Sequence, residues 1–166
     1  MIMSTVQVKK MTTINGLKII GIIVRTINQG GQSAQDMGKL WEQFYSERVP
    51  ERIPNKLSSD IYVVYTEYKR DHQDEYTAII GLQVSSLDDI PSGLTGRQFP
   101  PETFKVFTAK GQMPAAIVEV WTDIWQRDKE LQRKYTYDFE FYGESSQNGE
   151  NSEVEIYIAT NKQEQL

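Results

Sequence analysis

The stretch Tyr137-Asp-Phe-Glu-Phe-Tyr142 sets a carboxylate, Glu140, between Phe139 and Phe141 and two residues ahead of Tyr142. Side chains alternate along a strand. Thr136, Asp138, Glu140 and Tyr142 then share one face, and Tyr137, Phe139 and Phe141 the other. The phenylalanine face is the natural core face, expected to pack under helices. In Ile61-Tyr-Val-Val-Tyr-Thr-Glu-Tyr68 the matching face is Tyr62, Val64, Thr66 and Tyr68. Brought side by side, the two strands would gather Tyr62, Tyr68, Glu140 and Tyr142, with Trp41 and Trp121 reaching in from helices. The product is an aromatic enclosure around one carboxylate.

Such an enclosure has definite chemistry. A desolvated carboxylate is costly, and its pKa rises. A cationic ligand removes that cost, and aromatic faces add cation–π attraction of roughly 0.5–2 kcal/mol per good contact. The same carboxylate, tuned upward, suits a general base. The pattern also fits a solvated Glu140 on an open sheet face, tryptophans in a core, and tyrosines in ordinary cross-strand pairs.

Composition narrows the alternatives. The 166 residues include no cysteine and one histidine, His72. Thiolate metal sites, disulfides, a cysteine nucleophile and multi-histidine sites are excluded. No cofactor or metal is expected. His72 falls in the polar turn from Lys69 to Glu75 and reads as a solvated loop residue. The net charge of −5 suits a polyphosphate partner poorly, so no direct nucleic-acid contact is expected. No run approaches the roughly 18 apolar residues of a membrane span. The first residues lack the basic and apolar segments of a signal peptide, so a cytoplasmic address is expected.

The elements that must position these groups follow from pattern. Val6 to Met11 alternates as a short strand, and Asn15-Gly16 is a turn signal. Leu17 to Ile27 is β-branched and reads as a strand. Met37, Leu40, Trp41, Phe44 and Tyr45 recur at helical spacing, and Pro50 and Pro54 stop that helix. Ile61–Tyr68 and Tyr76–Val84 form a hairpin. The segment from Ser85 to Pro101 is rich in Gly and Pro and reads as a connection. A strand around Phe104–Phe107 follows, then a helix opened by Pro114. Strands at Tyr135–Tyr142 and Val154–Ala159 complete the chain. Moving the first helix face on by 80 residues gives Ile117, Val120, Trp121, Ile124 and Trp125, with Trp falling on Trp. A shift of 74 takes Tyr65 and Tyr68 to Phe139 and Tyr142. The expected fold is α+β: duplicated strand–helix–strand–strand halves, at about residues 5–90 and 100–160. They form one domain over residues 1–166, an antiparallel sheet with two helices on one face and a ligand cleft along the seam.

The ordered set Gly21-Ile-Ile-Val-Arg-Thr26, Leu40-Trp-Glu-Gln-Phe44, Ile61–Tyr68, Trp121-Thr-Asp-Ile-Trp125 and Tyr137–Tyr142 resembles the GyrI-like effector-binding domain. That family is also found in the C-terminal parts of AraC- and MerR-type multidrug regulators. The subgroup most similar is the stand-alone, integron-associated effector-binding proteins. The resemblance runs from about residue 5 to residue 160. It implies a hydrophobic, often cationic, small-molecule ligand, with Glu140 as the pocket carboxylate beside Tyr142. Trp41, Tyr62, Tyr68 and Trp121 match the family's aromatic lining, and Tyr157 is a further match. The family also includes hydrolases of electrophilic cytotoxins, which would make Glu140 catalytic, and proteins linked to gyrase inhibition, which would imply a protein partner. The regulators carry a helix-turn-helix domain ahead of the effector domain; with the first strand expected so early in this sequence, none is expected here, nor is direct transcriptional regulation by this chain alone.

Overall fold

The computed structural model describes residues 8–161. Val6 and Gln7, the start of the first expected strand, lie outside the described residues. The observed strand β1 is Lys10–Ile14. It runs to the Asn15-Gly16 turn and leads into β2, Leu17–Thr26. Gly16 has φ +109°, and a Cβ there would lie 2.8 Å from the Phe99 carbonyl oxygen, so this corner needs glycine.

Helix α1 is Gln32–Ser46. A short helix α2, Val49–Arg52, follows where the prolines mark only an ending. Pro50 sits in its first turn, where no N–H is required, and Val49 is fully buried. Strand β3 is Lys56–Thr66 and β4 is Tyr76–Val84. Strand β5, Thr95–Phe99, emerges from the segment read as a connection. It forms by pairing with β2, Leu17 opposite Phe99 and Gly21 opposite Thr95. That long-range ladder leaves no mark in local composition. Strand β6 is Glu102–Lys110, helix α3 is Ala115–Gln126, β7 is Tyr137–Tyr142 and β8 is Glu153–Ala159.

All pairings are antiparallel, and the strand order is β1-β6-β8-β7-β3-β4-β2-β5. The triplets β6-β8-β7 and β3-β4-β2 mirror one another across the β7–β3 seam. β1 lies at one end of this order and β2 next to the other, yet a two-residue turn joins them. The sheet must therefore curl until its ends approach. Gly21 opposite Gly81 permits a close approach within the curl: a Cβ at Gly21 would lie 2.0 Å from the Ile80 carbonyl oxygen.

Both longer helices pack on one face. Leu40 and Phe44 of α1 bury against Ile20, Ile22, Val63, Ile80 and Leu82. Ile117, Val120 and Ile124 of α3 bury against Phe107, Val154, Ile156 and Ile158. These are the apolar faces that the 80-residue spacing superimposes. Each such large side chain contributes roughly 1.5–3 kcal/mol of burial.

The third cluster lies on the opposite face, where the sheet curls over itself: Leu17, Ile19, Val64, Ile79, Phe99, Phe104, Tyr137 and Phe139. Phe139 is therefore core, but it does not pack under the helices as expected. The register explains why. Val63 is paired with Glu140 and Val64 with Phe139, so residues sharing a face differ by an odd number. The shift of 74 is even and carries Tyr65 onto the wrong face. A slip of one residue inverts every side chain of a strand.

Candidate functional site

The β3–β7 pairing turns Val63 and Tyr65, with Asp138, Glu140 and Tyr142, toward the helices. Between α1 and α3, above this seam, lies a cavity of about 250 Å3. Its walls are Ala34 and Met37 from α1, Ile117, Trp121 and Trp125 from α3, and Tyr65, Tyr68 and Tyr76 from the β3–β4 hairpin. Glu140 forms part of the lining and is 3% exposed.

Three neutral donors hold the Glu140 carboxylate. The Tyr65 hydroxyl and the Trp121 indole N–H donate to Oε2, at 2.8 and 2.7 Å. The Tyr142 hydroxyl donates to Oε1 at 2.7 Å. Among the described residues Glu140 makes no ion pair. Burial raises its pKa above the ordinary value, and the three hydrogen bonds oppose that rise. Burial, with the adjacent carboxylate, holds the Tyr65 and Tyr142 hydroxyls well above their ordinary values, so both stay protonated as donors.

The expected site residues divide between two faces. Glu140, Tyr142, Trp121 and Tyr68 come together on the helix side. Trp41 stands behind Tyr142, with ring centroids 5.3 Å apart at 70°, and stacks on Tyr45 rather than lining the cavity. Tyr62 lies on the opposite face, against Phe139 and Phe141, and its hydroxyl donates to Gln83. Tyr157 is also there, stacked on Phe139 at 4.3 Å. The expectation that Tyr62 shares a face with Glu140 is thus corrected by the observed register, and Tyr157 stands apart from the cavity for the same reason.

Tyr68 reaches the helix side for a reason that simple alternation misses. Glu67 adopts φ +52°, breaking the alternation beyond β3. Glu67 therefore turns toward Thr77 and Arg97, and the Tyr68 hydroxyl donates to Asp138 Oδ2 at 2.5 Å. Asp138 is fully buried. It also accepts from the Arg133 guanidinium at 2.9 Å and from the Ala159 backbone N–H at 2.8 Å.

Several lining groups were not singled out from sequence. Tyr65 is the largest omission, since it donates directly to Glu140; the odd phase of β3 against β7 that places it there is set by strand pairing and leaves no local signal. Trp125 lines the cavity as well. His72 is not a solvated loop residue. Its side chain is 16% exposed, its Nδ1 lies 3.0 Å from the Tyr135 hydroxyl, and its ring is parallel to that of Trp125. The hairpin folds back over the cavity, tied by the Asn28 amide donating to the His72 carbonyl oxygen at 2.9 Å.

A curled antiparallel sheet, two helices packed on it and a partly open aromatic cavity, whose one buried carboxylate has no ion pair among the described residues, are the setting of a small-molecule site. The family comparison agrees. Residues 10–160 match the Cass2 family model, integron-associated effector binding protein, and the chain belongs to that family. An integron cassette protein from the mobile metagenome of Vibrio cholerae superposes with a TM-score of 0.71 at 27% identity, covering 95% of this chain and 98% of that one. The transcriptional regulator BrlR of Pseudomonas aeruginosa is 28% identical over 134 residues, which cover 78% of this chain. The match spans about half of BrlR, 48%. The protein SAV2435, solved bound to tetraphenylphosphonium, shares the fold with a TM-score of 0.76 at 19% identity, over 92% of this chain and 93% of that one. The chain is therefore an effector-binding domain related to transcription regulators. Among the described residues no helix is long and apolar enough to cross a membrane.

Proposed function

We propose that this domain binds hydrophobic, cationic small molecules between α1 and α3, with Glu140 as their counter-ion. The observation that carries this reading is a buried carboxylate held by three neutral donors and, among the described residues, by no cationic side chain. Those donors orient the charge without cancelling it. An organic cation supplies the missing opposite charge, and it brings little hydration to lose. Trp121, Trp125, Tyr65 and Tyr68 offer ring faces and edges around it. The tetraphenylphosphonium complex of SAV2435 supports the same ligand class through a shared fold. Binding is favoured over hydrolysis because three of the roughly four acceptor positions of the carboxylate are already taken. Little of it is left to activate a water.

Tryptophan fluorescence titration with tetraphenylphosphonium and 1-methylquinolinium tests the proposal. At least one should bind with a dissociation constant below about 1 mM and be recovered intact. Glu140→Gln should weaken binding by about 1.5–3 kcal/mol, roughly ten- to a hundredfold. Failure of both cations to bind, or an unchanged affinity in Glu140→Gln, overturns it.

A further inference from the structure

Arg133 belongs to the same cavity wall, and its side chain is 1% exposed. One terminal nitrogen of its guanidinium donates to Asp138 at 2.9 Å, and the other lies 3.5 Å from Asp128. Its plane lies over the Tyr135 ring at 4.3 Å and beside the Trp121 ring at 5.8 Å. Its Nε–H, however, is buried with no hydrogen-bond partner among the described residues. A buried donor left unsatisfied costs free energy that a bound acceptor would recover. The other buried side-chain atom of this kind, Thr108 Oγ1, belongs to a residue of β6 that does not line the cavity. The remaining polar groups at this end are already engaged: Tyr68 with Asp138, Tyr76 with Asn28, and His72 with Tyr135.

Trp121 stands between Glu140 and Arg133, donating its indole N–H to Glu140 and flanking Arg133 with its ring. The charges at the two ends differ. The positive charge of Arg133 is compensated by Asp138 and Asp128, so it does not repel a cation as a free arginine would. The charge of Glu140 is not compensated by any ion pair among the described residues.

We infer that Arg133 is a second, hydrogen-bond-donating pole of the cavity, and that the preferred ligands are organic monocations carrying a neutral acceptor such as a carbonyl oxygen. This rests on Glu140 as the counter-ion. It adds a specificity: the cationic centre sits toward Glu140, and an acceptor on the far side of Trp121 meets the Arg133 Nε–H.

The test compares 1-methylquinolinium with its ring-carboxamide isomers, which add an acceptor at different positions. In the native protein at least one isomer should bind about tenfold more tightly than the parent cation. Arg133→Lys keeps a positive charge toward Asp138 but removes Nε–H. There the advantage of that isomer over the parent, both measured in the same variant, should shrink to within about twofold. Should that variant fail to fold, the native protein still decides the matter through its 15N-labelled arginine Nε–H resonances. The Arg133 resonance should shift with the favoured carboxamide and not with the parent. Equal binding of parent and all isomers, with an unmoved resonance, overturns this inference and leaves the counter-ion role of Glu140 standing. If neither parent nor isomers bind, the proposed function falls and takes this inference with it.

Discussion

The two halves of the domain use the same elements for different chemistry. On β7 the helix-facing positions are Asp138, Glu140 and Tyr142; on β3 their partners are Tyr65, Val63 and Ile61. The β3 half thus offers two apolar side chains and one hydroxyl, where the β7 half carries both carboxylates. The helices diverge in the same sense. Trp121 donates to Glu140, whereas its counterpart Trp41 packs against Tyr142, Phe44 and Tyr45. Trp125 lines the cavity, whereas its counterpart Tyr45 is 53% exposed. The repeat governs the packing of helix on sheet, and the polar chemistry is concentrated on one side of the seam. A cavity built this way is charged on one wall and apolar on the other, the arrangement that orients an amphiphilic cation.

If packing is shared by the halves, core truncations should cost similar amounts in each. Phe44→Ala should destabilise by about 3–5 kcal/mol and Ile124→Ala by about 2–5 kcal/mol, read from urea unfolding. A cost confined to one half would break the symmetry of the core. Ligand binding should be asymmetric instead. Trp121→Phe removes a donor to a buried carboxylate and should weaken cation binding by about 1.5–3 kcal/mol. Trp41→Phe should leave affinity within about twofold, and equal losses in calorimetric titration would erase the distinction between the halves.

The pH dependence should also belong to the β7 side. Burial raises the Glu140 pKa above its ordinary 4.5, which favours the neutral carboxyl in the folded, ligand-free protein. The stability this contributes is fully present below about pH 4.5 and is lost as pH rises through the raised pKa. Thermal melts should therefore show the native protein losing ground to Glu140→Gln over that interval. Affinity for a permanent cation should rise over the same interval, because only the ionised carboxylate attracts it. A pH-independent difference between the two proteins would mean that Glu140 does not titrate in this range. The smallest effect is expected at Tyr45, where replacement by Ala should change stability by no more than about 1 kcal/mol and affinity not at all.

Much of this arrangement was legible in local pattern. The recurrence Met37, Leu40, Trp41, Phe44, Tyr45 and its echo 80 residues later mark two amphipathic helices, and their buried members are Leu40, Phe44, Ile117, Val120 and Ile124. Glu140 stood out because a carboxylate between two phenylalanines has few comfortable environments. Local pattern misplaced Tyr62, overlooked Tyr65 and gave His72 to solvent. Alternation within β3 divides its residues into two sets but does not say which set shares a face with Glu140. β5 was invisible for a related reason, since an edge strand such as Thr95–Phe99 is defined by the partner it finds.

The amino-acid sequence by itself determined the order of elements apart from α2 and β5, the apolar faces of both longer helices and the restriction of site chemistry to carboxylate, hydroxyl and aromatic groups in a chain without cysteine. These follow from residue type and short-range periodicity. The tertiary structure decided which tyrosines meet Glu140, through the pairing of Val63 with Glu140 and the left-handed backbone at Glu67. It also brought Arg133 and His72 to the same cavity. Such placements depend on contacts between residues far apart in the chain, where one step of register or one reversed dihedral moves a side chain from one face of the sheet to the other.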